Sequence, residues 1–149
     1  MSKKRIAQQL GDLTFHLLAR CQEKEIWLAE KYGLNQSEFR CLRLLKSDEK
    51  LSNRQIAKRM KLSESRLSRI IDSLVRKGYI KREIDKKDRR YIKITLSRRG
   101  KILTNKLNEA YIDIHYKILQ EIDISKHKTL IKAIENLQSA TEKWLQKPK

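Results

Sequence analysis

Ser65, Arg66, Ser68 and Arg69 fall within five consecutive positions and share one chemistry: short hydroxyls and guanidinium groups that bond to the oxygens and ring nitrogens of nucleic acid. An arginine placed like Arg66 can donate two parallel bonds to guanine, a contact worth roughly 1–3 kcal/mol of discrimination. Ser65 is short enough to permit close approach, while Ser68 and Arg69 suit phosphate oxygens. Further along, Asp85-Lys86-Lys87-Asp88-Arg89-Arg90 forms a second polar, basic cluster. Its Arg90 suits a minor groove, where narrow A·T tracts concentrate negative potential, and Lys86, Lys87 and Arg89 suit nonspecific phosphate contacts. The plain alternative for both clusters is a solvated basic surface.

The charge distribution favours the first reading. Leu51–Gly100 holds 17 of the 36 Lys and Arg residues against five acidic ones, a net of +12 within a chain whose total is +18. A polyanion is the expected partner of such a chain, with double-stranded DNA ahead of a membrane surface. At 149 residues the length suits a single domain, 1–149, with one core. No apolar run approaches the ~20 residues of a membrane span, and the first residues do not read as a secretory signal, so the expected location is cytoplasmic with no membrane partner. Cys21 and Cys41 are too few for a disulfide framework and form no CxxC pair, which points to reduced thiols.

These clusters need elements to position them. Apolar residues at three- and four-residue steps (Ile6, Leu10, Leu13, Leu17, Cys21, Leu28) predict a long first helix over 5–31, weakened at Gly11 and stopped at Gly33. Ser37 suits the cap of a second helix, Ser52 of a short third, and Ser63 of a fourth that carries Leu67, Ile70, Ile71, Leu74 and Val75 and closes at Gly78. Two capped helices joined by a tight turn make a helix-turn-helix, whose second helix presents its first turns to a major groove. After Gly78 the period shortens to two: Tyr79–Ile84 and Tyr91–Leu96 read as two strands joined by the basic tip. Such a ribbon is marginal alone and should pack on the helices through Ile80, Ile84, Ile92 or Ile94. Two long helices follow. They are apolar on more than one face, which suggests that they pack against a second copy of the chain. The expected fold is mainly α with a small two-stranded β wing: a winged helix-turn-helix over 37–100, flanked by N- and C-terminal dimerisation helices at 5–31 and 101–146.

This layout, with LSNRQIAKRMKLSESRLSRIIDSLVRKGYIKRE followed by Asp88-Arg89-Arg90 and Leu96-Ser97-Arg98-Arg99-Gly100, resembles the MarR family of bacterial transcriptional regulators. Ser97 stands where threonine is commoner, which keeps the hydroxyl. The resemblance implies that Asp88 orients Arg90 at the wing tip. It further implies a homodimeric repressor on a pseudo-palindromic operator, released by a small-molecule or redox signal. Family effectors bind in a crevice that Phe15, Trp27, Phe39, Tyr111 or Tyr116 could line, although core packing explains these aromatics equally well. Thr14 stands where the peroxide-sensing branch carries its cysteine, so Cys21 is either a displaced redox thiol or an inert one. Arg54 joins the DNA-binding candidates, while Lys58, Lys81, Arg82, Arg98, Arg99, Asn53 and Gln55 stay unsorted between phosphate and water.

No glycine-rich phosphate loop, HExxH or nucleophile elbow supports an enzyme, and no cofactor is expected. His16, His115 and His127 are far apart in sequence; His115 with Asp113, or with a histidine brought near by folding, could ligate a metal such as zinc, but such isolated histidines are more simply read as ordinary surface or core. Two further readings stand beside the regulator: a nonspecific architectural DNA-binding protein, and a redox- or metal-sensing regulator.

Overall fold

The computed structural model describes residues 2–149. The helices and strands run α1 (Lys3–Lys31), α2 (Gln36–Leu44), α3 (Asn53–Met60), α4 (Glu64–Arg76), β1 (Ile80–Ile84), β2 (Ile92–Leu96), α5 (Arg98–Gln120), a 3-10 turn (Ile124–Lys126) and α6 (His127–Gln146). The mainly helical fold with its two-stranded wing is therefore the one expected. The chain divides into two compact units, residues 1–109 and 110–149.

In the first unit, the helix starts are set by side-chain caps. Ser2 caps α1 by accepting the Arg5 N–H. Gly11 lies within α1 without interrupting it, on an exposed position with no neighbour near its missing side chain. Gly33 adopts φ 73° and ends the segment as the periodicity required. The cap of α2 is Asn35 rather than Ser37. Asn35 Oδ1 accepts the Glu38 N–H at 2.8 Å while Glu38 Oε1 accepts the Asn35 N–H at 2.9 Å, and this reciprocal box places the cap two residues before the expected one. Ser52 and Gln55 build the same box for α3, and Ser63 caps α4, both as expected.

The core of this unit is formed by the inner faces of the short helices and the base of the ribbon. Phe39, Leu42, Ile56, Leu67, Ile71 and Leu74 are buried, with Leu28 and Ala29 from the end of α1 and Leu103 and Leu107 from the start of α5. Strand register pairs Ile80 with Leu96, Arg82 with Ile94 and Ile84 with Ile92. Of the four isoleucines expected to seat the wing, Ile80 and Ile94 do so, joined by Leu96; Ile84 and Ile92 form the cross-strand pair next to the hairpin tip and are exposed. Leu51 adds a short bridge to β2: its N–H donates to Ile94 O at 3.0 Å and its carbonyl accepts the Ile94 N–H at 2.6 Å. The ribbon is thus tied to the segment that leads into α3.

The joint between α4, the wing and α5 is close-packed. Gly78 turns with φ 84°. Ser97 Oγ donates to Gly78 O at 2.6 Å and accepts the Gly100 N–H at 3.0 Å, so the hydroxyl that distinguishes this position both caps α5 and fastens it to the preceding turn. Gly100 packs directly on the Tyr79 carbonyl, leaving no room for a Cβ.

In the second unit no residue from 110 to 149 is fully buried. His127 Nε2, 2.9 Å from Leu119 O and 2.8 Å from Ile122 O, donates to both carbonyls where the chain leaves α5, sharing Leu119 O with the Ile122 N–H. Along α6, Ile131, Ile134, Trp144 and Leu145 are exposed. Among the described residues, no helix is long and apolar enough to cross a membrane.

Candidate nucleic-acid interface

The fourth helix is oriented by its apolar face. Leu67, Ile71 and Leu74 are buried at steps of three and four, which leaves Ser65, Arg66 and Arg69 exposed. Ser63 Oγ accepts the Arg66 N–H at 3.2 Å and lies 3.3 Å from the Ser65 hydroxyl, fixing the first turn from which Arg66 projects. Ser68 is in a different situation from its neighbours. It is half-buried, donates its hydroxyl to Glu64 O at 2.9 Å and accepts from Asn53 Nδ2 at 3.3 Å. Asn53 also reaches Glu64 O at 3.3 Å, so it ties the start of α3 to the first turns of α4. Asn53 and Ser68 thus hold the two helices together. Arg54, next to Asn53 in the first turn of α3, is exposed.

At the wing tip the backbone is shaped by two aspartates. Asp85 Oδ1 accepts the Lys87 N–H at 2.9 Å, and Asp88 Oδ1 accepts the Arg90 N–H at 3.1 Å, each two residues on, the local geometry that makes Asp a turn former. Asp88 then grips the Arg90 guanidinium with both oxygens: Nε donates to Oδ1 at 3.0 Å and an Nη donates to Oδ2 at 2.8 Å. The Arg90 bonds hold the Asp88 carboxyl below the usual carboxylate range, and Asp88 in turn raises Arg90. Despite this clamp the Arg90 side chain is 85 % exposed. It is an oriented cation on a hairpin tip. Lys86, Lys87 and Arg89 are exposed around it.

Two of the unsorted cations have structural employment. Arg82 pairs with Asp72 of α4 and braces the wing against the helix. Arg99 donates to Lys77 O at 3.1 Å and lies over the Tyr79 ring at 5.1 Å, at the joint around Gly78.

A carboxylate without any sequence-level nomination supports the fourth helix from behind. Glu38 is buried, and its oxygens accept from Asn35 N–H, from Ser73 Oγ at 2.7 Å and from Lys77 Nζ at 2.9 Å. Lys77 also donates to Gly33 O at 3.0 Å, so one lysine at the end of α4 holds both the α1–α2 turn and the α2 cap. Burial alone would raise the Glu38 carboxyl; the Asn35, Lys77 and Ser73 bonds outweigh it and hold the group lowered. The Asn-x-x-Glu spacing was the available signal, since it specifies a capping box, although nothing in it foretold Lys77.

The sensor candidates separate clearly. Cys41 is fully buried, and burial pushes its thiol up to about 12, which makes it a packing residue. Cys21 is half-buried with Lys24 Nζ at 4.0 Å. His115 Nδ1 meets Tyr111 O at 2.7 Å while Asp113 pairs with Lys117 at 3.0 Å, so these two groups face different partners. Among the described residues no three His, Cys, Asp or Glu side chains are grouped to hold a metal ion. Of the aromatics, Phe39 is core, whereas Phe15, Trp27 and Tyr116 are exposed.

Residues 34–92 match the model of the MarR family. The HTH-type transcriptional regulator SarZ of Staphylococcus epidermidis is 29% identical over 114 residues, spanning 76% of this chain and 74% of the relative. The fold is shared with a MarR family protein from Bacillus stearothermophilus, at a TM-score of 0.83 and 16% identity over 95% of this chain and 99% of the other. It is also shared with Streptococcus pneumoniae FabT, solved in complex with DNA, at a TM-score of 0.73 and 19% identity over 96% and 99% of the two chains.

Proposed function

We propose that this chain, which matches the MarR family model over residues 34–92 and is 29% identical over 114 residues to a SarZ regulator, is a DNA-binding transcriptional regulator of that family and acts as a homodimeric repressor on a pseudo-palindromic operator. The fourth helix of each copy enters a major groove and reads bases through Arg66, with Ser65 allowing the approach. Arg69, Arg54, Lys86, Lys87 and Arg89 hold phosphates, and Ser68 contributes through the α3–α4 tie as well as by its place beside them. Arg90, oriented by Asp88, enters the flanking minor groove. Two readers would occupy grooves about 34 Å apart, one helical turn of DNA.

The observation that carries this reading is the Asp88–Arg90 clamp. A carboxylate at the tip of a basic hairpin opposes DNA binding unless it serves the arginine, and here both of its oxygens are committed to that guanidinium while the side chain stays exposed. The dimer is supported by apolar side chains left uncovered within each unit: Ile6, Leu10, Leu13 and Leu17 on α1, and Ile131, Ile134, Trp144 and Leu145 on α6. A signal that changes the spacing between the two readers would release the operator, because a mismatch weakens both half-sites together. A small molecule can supply that signal. For a redox signal Cys21 is the accessible thiol, since Cys41 is sealed in the core.

Selection of bound sequences from random DNA tests the reading. The expected result is an inverted repeat with fixed half-site spacing and a preference of roughly 10³ or more over random DNA at physiological salt. Binding without sequence preference would instead mark an architectural protein. On the selected site, Arg66→Ala should lose roughly 1–3 kcal/mol at particular base pairs, measured by competition with single-base variants. An equal loss across all sequences would reassign Arg66 to the phosphates.

A further inference from the structure

Leu51–Gly100 carries five acidic residues among its 17 cations, and the side chains of four of them have partners within the fold. Asp72 pairs with Arg82, Glu83 with Lys50 at 3.4 Å and Asp88 with Arg90, while Asp85 accepts the Lys87 N–H at 2.9 Å. The fifth is Glu64. Among the described residues its carboxylate alone of the five has no hydrogen bond or ion pair, and the residue is exposed in the first turn of α4. Its backbone is the opposite case. Glu64 O accepts from Asn53 Nδ2 at 3.3 Å and from the Ser68 hydroxyl at 2.9 Å, so the tie between α3 and α4 converges on this one carbonyl. The main chain of Glu64 is pinned while its carboxylate is uncommitted, directly before Ser65 and Arg66.

We propose that Glu64 reads a cytosine in each half-site, its carboxylate accepting from the N4 amino group in the major groove. The proposal rests on the DNA-binding reading above and adds a base identity to it. Docking on DNA strips water from the first turn of the reader, and an acceptor left unpaired there weakens binding. An ionised carboxylate only accepts, so it needs a donor. Phosphates offer none, and guanine and thymine present acceptors to the major groove. Adenine presents its amino group beside the N7 acceptor, which faces a second carboxylate oxygen with like charge, whereas cytosine presents the amino group without an acceptor of its own. The helix dipole also favours an acid in a first turn, but that benefit does not depend on DNA and leaves base preference untouched.

Selection of bound sequences from random DNA, run in parallel on the intact wild type, Glu64→Ala and Glu64→Gln, tests the contact, with single-base competition at each position of the recovered motif. The wild type should favour cytosine at one position of each half-site by roughly ten-fold. Glu64→Ala should lose that preference and keep the rest of the motif, while Glu64→Gln should move it toward adenine, the base that an amide meets with both a donor and an acceptor. A wild-type measurement stands beside the variants. N4-methylcytosine keeps its pairing proton but turns a methyl group to the groove, and at the assigned position it should weaken the wild type by roughly ten-fold and leave Glu64→Ala unchanged. The same motif from Glu64→Ala as from the wild type would overturn the proposal, whether that variant melts at a lower temperature, as a dipole role requires, or binds all sequences more tightly, as simple repulsion requires. No motif from the wild type would overturn the DNA-binding reading itself, so the two failures are distinct.

Discussion

Arg90 illustrates how one side chain can be both held and available. Ordering a long, flexible cation on binding DNA costs conformational entropy, and the Asp88 clamp meets part of that cost before DNA arrives. Arg90→Ala is therefore expected to weaken operator binding at least ten-fold with an unchanged circular dichroism spectrum, whereas Asp88→Ala, which frees the guanidinium, should cost about three- to ten-fold by the same entropy argument. Tighter binding by Asp88→Ala in a fluorescence anisotropy titration would mean that the carboxylate mainly repels DNA. Glu38 works on stability instead. Its carboxyl is lowered in the folded protein, so its contribution is fully present above the ordinary value of 4.5 and is lost as pH falls through the lower folded value. Glu38→Gln should cost about 1–3 kcal/mol at neutral pH and flatten the loss of stability below pH 4.5, read from urea midpoints across the acid limb.

At the scale of elements, the fourth helix is positioned by three attachments, each from a different part of the chain. Asn53 binds its first turn to α3, Asp72 receives Arg82 from β1, and Ser73 and Lys77 meet the buried Glu38 of α2. The wing is held in turn by the Leu51 bridge and by the Ser97 hydroxyl. Gly100 is the tightest point of this assembly, because a Cβ there would overlap the Tyr79 carbonyl, and a backbone carbonyl cannot swing aside as a side chain can. Gly100→Ala is expected to destabilise by about 3 kcal/mol, the upper part of the range for overpacking, in chemical denaturation. A neutral or stabilising effect would show that the start of α5 is free to shift. The caps were legible in sequence wherever a single hydroxyl preceded an apolar run, at Ser52 and Ser63. The start of α2 was displaced because Asn35 and Glu38 cap each other, and two-residue reciprocity outweighs a lone serine.

For the molecule as a whole, the uncovered apolar faces set the main expectation. Leu13 is 61 % exposed on α1, far from the buried Leu28 and Ala29 where that helix joins the core, so a charge there should spare the fold. Leu13→Glu is expected to give a folded monomer in sedimentation velocity, with operator affinity lower by two orders of magnitude or more as the second half-site ceases to be bound from the same particle. A dimer that survives the substitution would place its contact elsewhere. The basic surface adds a further whole-molecule property: with +12 of the +18 net charge in Leu51–Gly100, affinity should fall steeply with salt.

What the sequence determined by itself was the order and kind of the elements, because periodicity, caps and glycines are local and each is readable within a few residues. It also determined the two basic clusters and the fact that a hairpin joins the strands. Tertiary structure alone decided which residues around those clusters are committed elsewhere. Ser68, Asn53, Arg82 and Arg99 have the same chemical types as residues left exposed, yet Asn53 meets Ser68 and Glu64, Arg82 meets Asp72, and Arg99 meets Lys77 and Tyr79 only once helices and ribbon are packed. Glu38 is the plainest case. Its local role was readable as a cap, but its buried ion pair joins residues 39 positions apart, and no local pattern encodes a contact that packing creates.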